Sequence, residues 1–78
     1  MTFHFITSDP NVLGGKPIIK GSRISVEFIM EVVASGGTVE SFYKEYSHLP
    51  KGSVEEAIMY AAQFTKNEIL IEENLSSE

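Results

Sequence analysis

The sequence predicts a mainly α domain: an N-terminal β-hairpin arm followed by a three-helix, homeodomain-like helix-turn-helix bundle. Three observations predict it. Turn-forming residues crowd the first third, where "VLGGKPIIKGSRISV" (Val12–Val26) sets glycines and a proline among apolar residues and cations. Apolar residues then recur at helical spacing through the middle of the chain. Each periodic segment begins at a capping residue or ends at a breaker. A chain of 78 residues makes one domain, divided here into the arm (1–25), the bundle (26–67) and an acidic tail (68–78).

In the arm, Phe3 and Phe5 of "TFHFIT" alternate with Thr2 and His4, a short strand pattern. "SDPN" predicts a β-turn, with Asp9 capping its start and Pro10 presetting φ at its second position. Leu13-Gly14-Gly15-Lys16 predicts a tight hairpin turn, since two glycines accept positive φ. Pro17 has no N–H to give a ladder, so the strand through Ile18 and Ile19 lies at an edge or pairs outward. Gly21 ends that strand.

Helix one starts after Ser25, a good N-cap. Val26, Ile29, Met30, Val33 and Ala34 share one face. Phe28 and Val32 widen it, leaving Glu27 and Glu31 for water. Gly36 is placed to end the helix in the left-handed region. Helix two starts at Thr38 and carries Val39, Phe42, Tyr43 and Tyr46 at helical spacing; "SHLPKG" breaks it. Helix three opens on a capping box, Ser53 with Glu56, and buries Val54, Ala57, Ile58, Ala61 and Ala62. Tyr43, Tyr46, Tyr60 and Phe64 read as core aromatics.

Composition narrows the function. A chain this short buries only ~60% of its unfolded surface, and with no cysteine it has no disulfide to staple it. Self-association or a partner is the remaining common way to add buried area. The arm residues Phe3, Phe5, Val12, Leu13, Ile18 and Ile19 are more apolar than a two-stranded ribbon can shelter, so the arm must lie on helix one or pair with a second subunit. A homodimer is expected. No export signal is expected, no apolar run approaches membrane length, and cysteine-free composition fits the cytoplasm. The net charge of −5 weighs against a nucleic-acid binder that relies on overall charge.

The pattern "GGKPIIKGSRISV", an apolar helix, "GG", then "Y", "LP" and "A-x-x-Y-A-A" resembles a small bacterial family, the domain of unknown function 433 family, over roughly Ile6 to Ala62. The resemblance implies a helix-turn-helix-like fold and an antitoxin-like, VapB-type role in a toxin–antitoxin system, beside a nuclease-like toxin of the PIN type.

Lys16, Lys20 and Arg23 are half of the six Lys and Arg. They form either an anion, DNA or partner site on a glycine-shaped loop, or a surface in which Arg23 pairs with Glu27 and the lysines are solvated. If helix three read DNA, its exposed residues would be Glu55, Glu56, Met59, Tyr60 and Gln63, with Lys66 further along; two leading glutamates suit the helix dipole and repel phosphate. Any DNA affinity is therefore expected to be weak and carried by Lys16, Lys20 and Arg23. In the tail, Ile69, Leu70, Ile71 and Leu75 are candidate partner anchors, or helix three simply continues into them. Catalysis finds no support: His4, His48 and Asp9 form no recognisable catalytic set, and "GGKP" lacks the glycine and the Ser/Thr of a phosphate loop. No metal or other cofactor is expected. The expected function is non-enzymatic binding and regulation of a toxin protein, with operator DNA a further target; the alternative is a stand-alone DNA-binding regulator.

Overall fold

The computed structural model describes residues 3–63. They form a β-hairpin followed by three helices, a mainly helical domain. Strand β1 (Ile6–Ser8) pairs antiparallel with β2 (Pro17–Ile19), with Ile6 opposite Ile19 and Thr7 opposite Ile18. Helices α1 (Val26–Ala34) and α2 (Val39–Glu45) follow. A third helix, α3, begins at residue 53 and is helical to 63, where the described residues end.

The arm departs from its expected detail. The strand starts at Ile6, after both phenylalanines. Phe3 instead sets its ring edge-on to Tyr60 of α3, 5.0 Å between centroids. Asp9 and Pro10 do make the expected turn: Val12 N–H donates to the Asp9 carbonyl and Asn11 N–H to the Asp9 carboxylate, both at 2.9 Å. The tight turn at Leu13-Gly14-Gly15-Lys16 is only the end of a longer connection, residues 9–16. Leu13, Gly14 and Gly15 all have positive φ (50°, 67° and 88°), so a leucine as well as two glycines turns left-handed. Strand β2 is an edge of a two-stranded sheet, as expected. Ile18 also bridges to Ser25 on its other side, and Pro17 is tolerated because it is the first strand residue, paired with Ser8 at the end of the ladder.

Ile18 and Ile19 are buried in their own chain, at 3% and 0% exposure. The core gathers Ile6 and Ile19 of the hairpin, Val26 and Ile29 of α1, Phe42 of α2, Leu49 of the following turn, and Val54 and Ala57 of α3. Each fully buried Ile or Val contributes about 1.5–3 kcal/mol. The arm therefore rests on the helices of the same molecule, and the apolar surface that suggested a dimer arm is already covered at Ile18 and Ile19.

Helix one starts and stops as expected. The Ser25 hydroxyl accepts the Phe28 N–H at 2.9 Å. At the other end Gly36 N–H donates to Val33 O (3.1 Å) and Gly37 N–H to Val32 O (2.9 Å), the paired bonds of a Schellman ending. The two glycines serve different needs. Gly36 supplies φ of 103°, whereas a Cβ on Gly37 would lie 2.4 Å from Val32 Cγ1. Ala34 is exposed rather than buried. Helix two has a full capping box: Thr38 Oγ1 accepts Ser41 N–H and Ser41 Oγ accepts Thr38 N–H, each at 3.1 Å.

Helix three is capped differently from its sequence signature. Ser53 donates its hydroxyl to Pro50 O at 2.6 Å and is fully buried. The helix N-terminus is closed instead by Tyr43 of α2, whose phenol oxygen accepts Gly52 N–H (2.9 Å) and Val54 N–H (3.1 Å) while donating to Glu55 Oε1 (2.6 Å). Glu56 is thereby released for the arm and accepts Phe5 N–H at 2.5 Å. The capping-box pattern at Ser53 and Glu56 does not form: Ser53 N–H and hydroxyl both turn to Pro50 O, Glu56 N–H bonds Gly52 O, and the Glu56 carboxylate serves the arm. Val54 and Ala57 are buried as the helical stripe requires, Ile58 and Ala61 half-buried, and Ala62 exposed.

Candidate functional site

Two surfaces carry candidate residues. The first is the turn after β2. Ser22 locks it, donating its hydroxyl to Ile19 O (2.8 Å) and accepting Ile24 N–H (3.0 Å). Lys20 N–H donates to Phe5 O at 2.8 Å, tying the turn to the arm. Lys20 and Arg23 project from it, both exposed. The third cation of the expected cluster is engaged elsewhere: Lys16 Nζ contacts Glu27 Oε1 at 2.6 Å. Hydrogen bonding and then the charge of Glu27 hold the Lys16 ammonium above its ordinary 10.5; desolvation opposes this and Glu31 adds to it. In the alternative reading Arg23 paired with Glu27; the pair that forms is Lys16–Glu27, between the residue before β2 and α1. Among the described residues Lys20 and Arg23 have no ion-pair partner. Three cations are reduced to two free ones.

The second surface was not anticipated. Phe28, expected in the core, is 40% exposed. Helix α1 turns Ile29 and Val26 fully inward, which leaves Phe28 at the margin, its ring edge-on to Phe42 with centroids 6.1 Å apart and planes at 90°. Phe42 stacks on Tyr46 at 6.0 Å and 29°. Between the two helices lies a groove of about 110 Å³ lined by Phe28, Val32, Ser41, Phe42, Glu45 and Tyr46. The spacing of Phe28 and Val32 beside Phe42 and Tyr46 was readable as two helical i, i+4 pairs. That they meet at an open edge was not.

The remaining expected residues distribute as follows. Phe3 and Phe5 are half-buried, Val12 half-buried and Leu13 43% exposed. The tail anchors Ile69, Leu70, Ile71 and Leu75 lie outside the described residues. Among the described residues there is no group of three or more metal-ligating side chains, no helix long and apolar enough to cross a membrane, and no buried side-chain polar atom without a hydrogen bond.

Residues 6–61 match the family model described as "Protein of unknown function (DUF433)". The chain belongs to the DUF433 family. The matched DUF433 segment runs from the first strand residue into α3, so it includes the locked turn and both walls of the groove. The chain is also 34% identical over 56 residues to the uncharacterized protein y4eO of Sinorhizobium fredii; the match covers 72% of this chain and 25% of that protein. This DUF433 chain therefore corresponds to about a quarter of that relative's length. No solved structure matches it significantly.

Proposed function

We propose that this DUF433 domain is a non-enzymatic regulatory module, antitoxin-like in role, that acts by binding a partner protein such as a PIN-like toxin. The observation that carries this reading is the open groove at Phe28. An exposed aromatic ring backed by two further aromatics is the composition of a protein-interface anchor site. A volume of about 110 Å³ falls well below the ~300–1,000 Å³ of small-molecule sites, which favours a single side chain of a macromolecule as occupant. The basic surface is weakened by the Lys16–Glu27 pair, which disfavours phosphate binding as the main activity.

A second reading, a stand-alone DNA-binding regulator, draws on Lys20 and Arg23, exposed on a hydrogen-bonded turn and without an ion-pair partner among the described residues. It would treat α2 and α3 as a homeodomain-like helix-turn-helix, although the link between them, residues 46–52, is long for that motif.

Co-expression with the reading frame beside its gene tests the two together. A co-purifying complex that is lost in Phe28→Ala and kept in Lys20→Glu/Arg23→Glu supports the protein-binding reading. A mobility shift of its own promoter DNA by the chain alone, lost in the double charge reversal, supports the second.

A further inference from the structure

We infer that the groove between α1 and α2 takes an apolar side chain flanked by cations, from a Lys- or Arg-bearing segment of a partner protein. The inference rests on the protein-binding reading and deepens it by naming the partner's chemistry. Of the groove's lining residues only Glu45 is charged, and its carboxylate has no hydrogen-bond or ion-pair partner among the described residues. Ser41 is not free to serve, because its hydroxyl donates to Thr38 O at 2.6 Å and accepts Thr38 N–H. On the other wall no charged residue lines the groove; Glu31 lies in the field of Lys16, which pairs with Glu27. The cation nearest in α2, Lys44, stands three residues after Ser41 and does not itself line the groove. An apolar slot whose only charged lining group is a carboxylate selects against anionic occupants. That disfavours phosphate backbones and anionic lipid surfaces. It also disfavours this chain's own end, since Asn67–Glu78 carries four glutamates and no Lys or Arg. A second copy docking by the same face would bring a second Glu45 against the first.

The test is an amide-resolved NMR titration of the full chain with two short capped peptides. Each has a central leucine, flanked in one by lysines and in the other by glutamates. The lysine peptide is expected to shift the amides of Phe28, Val32, Phe42 and Tyr46, to bind at least about tenfold more tightly than the glutamate peptide, and to weaken as salt rises. Glu45→Lys, an exposed substitution whose spectrum elsewhere should be unchanged, is expected to reverse the preference. Equal or tighter binding of the glutamate peptide at the same amides overturns the charge selection while leaving a protein-binding groove. Shifts confined to the Lys20–Arg23 turn, or no shifts with either peptide, overturn the groove as the docking site. Concentration-dependent shifts of these amides without peptide identify a second copy as occupant. Changes at them on truncation after Lys66 identify the chain's own end. Either result overturns the proposal.

Discussion

Glu56 of α3 holds Phe5 of the arm: its carboxylate accepts the Phe5 backbone N–H at 2.5 Å, across 51 residues of sequence. Burial raises the carboxyl's pKa, but the backbone N–H groups of Phe5, His4 and Ile6 and the charge of His4 outweigh it, so the group sits below its ordinary 4.5. One side chain thus fastens the start of the hairpin to α3. Hydrogen bonds to charged groups contribute about 1.5–3 kcal/mol, toward the low end here because the site is only partly buried.

Glu56→Ala should therefore lower stability by about 1–2 kcal/mol in urea denaturation. Its pH dependence follows from the direction of the shift. The folded pKa lies below the unfolded one, so the contribution is complete above the unfolded value and is lost as pH falls through the lower folded value. Wild-type stability should decline on acidification below about pH 4.5. Glu56→Gln should flatten that part of the decline, and an unchanged acid limb in the variant would show that Glu56 does not supply it.

Tyr43→Phe removes only the hydroxyl, leaving Gly52 and Val54 N–H groups at the start of α3 without their acceptor. Loss of an N-cap acceptor costs about 0.5–2 kcal/mol. The substitution should cost about 1 kcal/mol by denaturant midpoint and speed hydrogen exchange at Val54 more than at any amide of α1. A neutral Tyr43→Phe would mean that the helix is capped by other means.

The pair Gly36-Gly37 should respond unequally to alanine. At Gly36 the added Cβ meets open space and the effect is the left-handed φ alone, about 1 kcal/mol. At Gly37 it collides with Val32 Cγ1 at 2.4 Å and approaches Val32 O at 3.0 Å, so the end of α1 must shift. Overpacking of this kind costs about 1–3 kcal/mol. Thermal denaturation should rank Gly37→Ala below Gly36→Ala.

Local signals in the sequence were mostly legible, and the exceptions share a cause. Ser25, Thr38 and Gly36 end or start helices where their own chemistry directs, because those bonds are made within a few residues. The alternating Phe3 and Phe5 failed to mark a strand because Phe3 is drawn onto Tyr60 and the backbone at Phe5 is drawn onto Glu56. Ser53 and Glu56 failed to form a capping box because their own N–H groups are already held by Pro50 O and Gly52 O, and the helix starts at residue 53 itself. Arg23 was the natural partner for Glu27 by helical spacing, yet the hairpin carries Lys16 to it from eleven residues away. Phe28 belonged to the apolar face by counting, but α1 buries only as much of that face as the small hairpin and two short helices can cover. The groove it opens is a consequence of domain size, which no local pattern encodes.

The central claim is that a partner protein binds at Phe28, not at Lys20 and Arg23. Calorimetric titration of the full chain against the product of the neighbouring reading frame tests it most directly, comparing wild type, Phe28→Ala and Lys20→Glu/Arg23→Glu. Phe28→Ala should weaken binding by about tenfold or more, as truncation of an aromatic interface anchor does, and the double charge reversal should leave it within about twofold. The reverse pattern, with the charge reversal abolishing binding and Phe28→Ala leaving it intact, would contradict the claim.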